Sequence, residues 1–187
     1  IGLLCLIQLD IETWIIALIS IPLVIIYPLA KRFTKWPQIF LGFTFSWSIP
    51  TAWSASGMPW EWGVFTMYVA TVFWVVGYDT IYGCQDSNED EFHGIKNSAV
   101  SAKKFLIKFV ALIYCFTICL LIVSGIALNA SYFWYLGVLI VTIHFIFQIH
   151  KLKYLNEKST ITIFKSNRTV GLILTLGALG NYINFTT

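Results

Sequence analysis

Charge is the scarcest property of this chain. Only 11% of its 187 residues are Asp, Glu, Lys or Arg, against about a quarter in a soluble domain. That shortage excludes a soluble enzyme, a disordered chain and a nucleic-acid binder. The net charge of +3 is too small and too dispersed to serve as an electrostatic footprint for nucleic acid. Cysteine is also sparse. Cys5, Cys84, Cys115 and Cys119 fall in or beside apolar stretches, and none has zinc-type pairing with histidine, so membrane packing accounts for them. There are no ten-residue alternating segments, which excludes a β-barrel. The first residue is Ile1, inside an apolar stretch that runs to Leu9. No charged leader region and no small-residue cleavage site accompany it, so it is not a signal peptide. The expectation is a chain that begins part-way through a helix.

What is abundant is apolar surface. Hydrophobic residues make up 58% of the chain, aromatics 17%, and the mean hydropathy is +0.77. A membrane crossing needs about 20 apolar residues. Uncharged windows place spans at 13–30, 37–58, 62–84, 105–128, 132–150 and 169–186. In the second of these, Pro37, Pro50 and Pro59 mark the start, a kink and the end. Asn129-Ala-Ser131 divides a charge-free stretch too long for one helix. The fold class is therefore all-α, a multi-pass transmembrane helical bundle in a single domain over 1–187.

The basic residues orient it. Lys31, Arg32 and Lys35 lie between the first two spans. Lys96, Lys103, Lys104 and Lys108 follow the third, and Lys151, Lys153, Lys158, Lys165 and Arg168 follow the fifth. These are all 12 basic residues of the chain, and the intervening loops hold none. Complete segregation onto alternate loops places the three basic segments in the cytoplasm.

Five of the nine acidic residues sit between Asp79 and Glu91. Asp79 closes an apolar span, where a carboxylate costs on the order of 2–3 kcal/mol if it lies deep in the bilayer. It needs a partner, a cavity or a cation. On one helix, Asp79, Asp86 and Asp90 would share a stripe about 40° wide but spread over about 16 Å, too far to share an ion. The helix should therefore break near Gly83 or after Asp86, or the carboxylates should serve more than one cation. Carboxylates without Cys or His neighbours suit a hard ion such as Mg²⁺. Glu89 and Glu91 read as a solvated helix end. Gly94-Ile-Lys96 follows, and a lysine beside such carboxylates forms a diphosphate clamp, or simply sets topology.

At these residues the chain resembles the UbiA-type membrane prenyltransferases, in their 4-hydroxybenzoate polyprenyltransferase branch. The resemblance rests on Tyr78-Asp79-Thr-x-Tyr82-x-x-x-Asp86-x-x-x-Asp90 with Gly94-Ile-Lys96. A second block adds Tyr27-Pro28-x-x-Lys31-Arg32, Pro37-Gln38, Leu41-Gly42 and Phe45-x-Trp47-Ser48-Ile49-Pro50. Asn88, Glu89, Glu91 and Asn97 depart from the family pattern. So does the lack of a first aspartate-rich motif. The resemblance implies nine helices, of which this chain carries the last six and the end of the third, and a fragment inactive by itself. It implies Mg²⁺ on Asp79, Asp86 and Asp90, with Lys96 on the diphosphate of a polyprenyl donor and 4-hydroxybenzoate as acceptor. Lys31 or Arg32 would bind diphosphate or the acceptor carboxylate, or set topology. Tyr82 would orient a carboxylate or the acceptor, or mark the interface. The implied setting is a lipid bilayer, the bacterial inner membrane with the aspartates cytoplasmic or else the mitochondrial inner membrane, and no nucleic acid. The open alternatives are a transporter or channel, with His144 and His150 in mind, a non-catalytic scaffold, and a prenyltransferase of the same type with another acceptor.

Overall fold

The computed structural model describes residues 2–85, Ala99, 105–154 and 157–184. Every element among them is a helix. A short α1 (Gly2–Leu6) occupies the apolar start. It is followed by α2 (Ile11–Phe33), α3 (Pro37–Ser46), α4 (Ser48–Ala55) and α5 (Trp62–Gly83). Then come α6 (Leu106–Ala127), α7 (Tyr132–Lys151), a 3₁₀ turn (Leu152–Tyr154) and α8 (Glu157–Asn184). Four stretches, Ile11–Phe33, Trp62–Gly83, Leu106–Ala127 and Tyr132–Tyr154, are long and apolar enough to cross a membrane.

Local sequence explains the boundaries. Asp10 caps α2, its Oδ1 accepting the Thr13 N–H at 2.7 Å, and that bond holds the Asp10 carboxyl below its usual range. Pro37 opens α3 at a position where no amide is missed. The break in the second span falls at Trp47, ahead of the expected kink at Pro50. Trp47 keeps helical torsions while its N–H bonds the Thr44 carbonyl. The reason is that a proline ring clashes with the carbonyl four residues earlier, which is that of Ser46. The disruption is thus felt upstream of the proline, and neither half reaches spanning length alone. α6 ends where Asn129 takes φ 50°, a left-handed value that asparagine tolerates. The Ala130 N–H then bonds the Gly125 carbonyl at 2.8 Å.

The last helix differs most from expectation. It starts at Glu157, not at 169. Lys158, Lys165 and Arg168 made that stretch read as loop. Thr160, Ile163, Asn167 and Val170 are nevertheless all buried, and their spacing of three and four residues is one helix face. The segment is an amphipathic extension of α8.

The bundle carries large apolar side chains on its surface, as a lipid-embedded protein does, and its mainly apolar interior also holds polar groups. Leu18, Ile25, Leu139 and Ile143 are exposed, while Thr13, Thr117, Ser124 and Gln148 are buried. The buried polar groups tie helices together. Ser124 Oγ donates to the Gly63 carbonyl at 2.8 Å, and Thr13 and Ser54 share a hydrogen bond at 3.0 Å. Trp134 Nε1 donates to the Leu121 carbonyl at 3.1 Å. α7 and α8 approach closely at Gly137 and Gly177, where a Cβ on Gly177 would come 3.2 Å from the Phe133 carbonyl oxygen. Small residues allow such contacts between membrane helices.

Tyr114 sits at the centre. It is 2% exposed, stacks on Phe145 at 3.9 Å, and donates to Gln148 Oε1 at 2.7 Å. Gln148 Nε2 in turn donates to Ser166 Oγ at 2.9 Å, so α6, α7 and α8 are linked through one chain of bonds. Tyr114→Phe keeps the ring and leaves Gln148 Oε1 without its donor. A loss of about 1–3 kcal/mol is expected for such an orphaned acceptor, measurable as a lowered melting temperature in detergent.

Candidate active site

The structure brings the two described candidate elements together at one end of the bundle. Asp79 lies in the last full turn of α5 and is half-buried. α5 ends at Gly83, with Cys84 as its cap residue, so the helix does stop between Asp79 and Asp86. Lys31, in the last turn of α2, lies close enough to Asp79 to act on its charge. Tyr27, one turn earlier, lies within the same range. Arg32 is exposed next to Lys31. Tyr82 packs on Phe164 with ring centroids 4.7 Å apart, so its ring is engaged with α8. Asp86, Asp90 and Lys96 lie outside the described residues.

Aromatic contacts show that the basic segments share this end. Trp36 lies against Phe109 at 5.0 Å, joining the α2–α3 connection to the start of α6. The opposite end is marked by Trp60 Nε1 donating to Glu12 Oε1 at 2.7 Å. The alternation read from the loops thus corresponds to two physical ends, one holding Lys31 and Asp79, the other Asp10, Glu12 and Trp60.

Next to Asp79 is an apolar cavity of about 450 Å³, lined by Phe45, Ile49, Met67, Trp74, Leu121 and Leu174 among others. A second cavity of about 510 Å³ is lined by Trp74, Tyr78, Phe164, Lys165, Asn167 and Arg168. Trp74 and Tyr78 belong to both. Trp74 is fixed by Nε1 donating to Asn167 Oδ1 at 2.9 Å. The sequence reading assigns no site role to Trp74, Phe164 or Asn167, places Tyr78 in the motif without a role, and marks Lys165 and Arg168 as topology residues only. Trp74 and Tyr78 stand one turn apart on α5, immediately before Asp79, and that spacing was the available signal.

As to a metal, no three acidic, His or Cys side chains gather among the described residues. At this end of the bundle Asp79 offers a carboxylate. A half-buried oxygen donor at the mouth of an apolar bundle fits a hard cation as one ligand of several.

Two cavities meeting at an aromatic wall beside one carboxylate suit the joining of an apolar chain to a second molecule. Against this geometry, the model of the UbiA prenyltransferase family matches residues 1–172. The chain belongs to that family. It is 38% identical over 182 residues to the mitochondrial 4-hydroxybenzoate polyprenyltransferase of Aedes aegypti, covering 95% of this chain and 40% of that one. It is 35% identical over 166 residues to the 4-hydroxybenzoate octaprenyltransferase of Vibrio cholerae, covering 88% and 58%. The octaprenyltransferase of Francisella tularensis subsp. mediasiatica matches at 34% over 185 residues, covering 98% and 64%. The chain therefore spans less than two thirds of the length of these relatives. The apo structure of a UbiA homolog from Aeropyrum pernix K1 superposes with a TM-score of 0.78 at 21% identity, over 95% of this chain and 66% of that one. The fold is that of the UbiA family, an all-helical membrane bundle, and the prenyltransferases of this family are metal-dependent.

Proposed function

We propose that the protein transfers a polyprenyl group from a polyprenyl diphosphate to the ring of 4-hydroxybenzoate, a step of ubiquinone biosynthesis. The observation that carries this is Asp79, half-buried at one end of α5, within electrostatic range of Lys31 and next in the chain to Tyr78, which lines an aromatic-walled apolar cavity. The names of the relatives supply the acceptor.

In this reaction the allylic C–O bond breaks, a C–C bond forms ortho to the phenol hydroxyl, and the ring carbon loses its proton. Diphosphate is the leaving group. Asp79, Asp86 and Asp90 would hold Mg²⁺, which when bound neutralises the diphosphate and eases its departure. Lys31 and Lys96 add positive charge around the same anion. The apolar cavity receives the prenyl chain and keeps water from the allylic cation. The faces of Trp74 and Tyr78, at the junction of the two cavities, stabilise that cation through their π-electrons. Residues 1–187 act as one membrane domain, and α3–α4 and α8 complete the crossings beside the four long apolar helices. We place the Asp79 end on the cytoplasmic side of a bacterial inner membrane, because every basic residue lies on segments of that side. The mitochondrial inner membrane is the other setting that the relatives' names support.

The test is binding of a non-hydrolysable polyprenyl diphosphate analogue to the full-length protein in detergent. Binding should require Mg²⁺ and disappear with EDTA. Equal binding with and without EDTA would contradict the metal-bridged diphosphate site.

A further inference from the structure

Asn167 is 6% exposed on α8, so its amide must find partners inside the protein. Its Nδ2 donates to the Ile163 and Phe164 carbonyls at 3.2 Å each, one turn earlier on the same helix. Carbonyls only accept, and an indole N–H only donates. That fixes which way the amide faces. Its Oδ1 is turned across to α5, where it accepts from Trp74 Nε1 at 2.9 Å. A primary amide meets this demand, with two donors on one side and an acceptor on the other. Leucine has the size and offers neither, and an aspartate keeps the acceptor alone.

Trp74 is thereby laid against α8. Its Nε1 is held at Asn167, and the far edge of the indole passes over Gly171, one turn further on, where a Cβ would stand 3.6 Å from Trp74 Cη2. Tyr78 packs edge-on to the same ring at 5.8 Å. The indole so placed is a wall common to both cavities. The two differ in what surrounds them. The first is lined by apolar groups such as Leu121 and Leu174. The second carries Lys165 and Arg168, both exposed, and such side chains keep their charged ends in water. Trp74 therefore separates a dry space from a wet one, and the Asn167 amide pins it in place.

We infer that Asn167 is a positioning residue, whose amide latches the Trp74 indole between the two cavities and so keeps water from the allylic cation. The inference rests on the prenyl-transfer function proposed above and deepens it. With the latch closed, the cation left when the allylic C–O bond breaks meets the acceptor ring. With it open, water from the Lys165 and Arg168 side adds to that cation. The water oxygen forms the new C–O bond and its proton goes to solvent. The products are then a prenyl alcohol and diphosphate, with the acceptor unused.

The experiment measures prenyl alcohol against C-prenylated acid made by the full-length protein from a polyprenyl diphosphate, 4-hydroxybenzoate and Mg²⁺. Asn167→Leu should raise that ratio about three- to tenfold, the weight of one hydrogen bond. The ratio counts only folded molecules that turn over, so a loss of stability alone does not move it. Asn167→Ala also lacks the acceptor and gives the same reading where leucine is not accommodated. Asn167→Asp keeps the acceptor for Trp74, so it should melt at a lower temperature yet hold the ratio within about twofold of wild type. An unchanged ratio without the acceptor, or an equal rise in Asn167→Asp, would overturn the latch. Hydrogen exchange of the Trp74 indole N–H needs no turnover. Followed by NMR, with the signal assigned through Trp74→Phe, it should be about three- to tenfold faster in Asn167→Leu. Equal exchange overturns the latch whatever the turnover. If the wild type makes no prenylated acid, the function falls, and faster exchange in the variant leaves the latch standing.

Discussion

Asp79→Asn in the full-length protein should lower prenyl transfer by at least about a hundredfold, the usual cost of removing one group aimed at developing charge. The substitution keeps shape and volume and deletes only the charge. Asp79 sits on a regular turn of α5 with Thr80 and Ile81 fully buried beside it, so the helix should survive. Expression and melting temperature should match wild type. The loss should appear in kcat and in metal dependence together, because one carboxylate serves both the cation and, through it, the leaving group. Normal turnover would remove Asp79 from the donor site.

The second large effect is structural and lies one helical turn or less from that site. A Cβ on Gly77 would stand 2.5 Å from Tyr114 Cε1, 3.0 Å from its Cδ1 and 3.2 Å from Ile113 Cγ2. The ring has little room to retreat. It is stacked on Phe145 and its hydroxyl is bonded to Gln148. Gly77→Ala should therefore cost about 1–3 kcal/mol through overpacking, and Gly77→Val more. Activity should fall as well, since moving α5 away from α6 displaces Tyr78 and Asp79. The cause is checked by coupling. Gly77→Ala with Tyr114→Leu should cost clearly less than the two single changes added, because the smaller side chain relieves the clash. Strict additivity would show that the helix separation is set elsewhere.

Much of the architecture could be read directly from residue order, because a bilayer imposes length and polarity so strongly. The spacing of three aspartates left a break near Gly83, a break after Asp86 or more than one cation open, and α5 ends at Gly83. The turn at Asn129 followed from a charge-free stretch too long for one helix. Two features were read less well, for physical reasons. The helix break at Trp47 was assigned to Pro50, although a proline acts on the carbonyl four residues before it. The start of α8 was hidden because Lys158, Lys165 and Arg168 look like loop residues to a hydropathy window, while the buried face of Thr160, Ile163 and Asn167 is amphipathic and partly polar. That misreading also concealed the cationic cavity. The pairing of Trp74 with Asn167 joins residues 93 positions apart, and that of Tyr114 with Gln148 joins residues 34 apart. No local pattern announces such contacts, since they depend on which helix faces which.

The proposed reaction joins an allylic chain to the ring of an aromatic acid at the wall shared by two cavities. The most direct measurement is incubation of the full-length protein, in membranes, with a polyprenyl diphosphate, 4-hydroxybenzoate and Mg²⁺, with the product identified by mass spectrometry and NMR. The expected product is 4-hydroxybenzoate carrying one prenyl group on carbon, ortho to the hydroxyl, with one diphosphate released per transfer. Release of diphosphate with the acceptor unmodified, or a prenyl group on another aromatic acceptor alone, would contradict it.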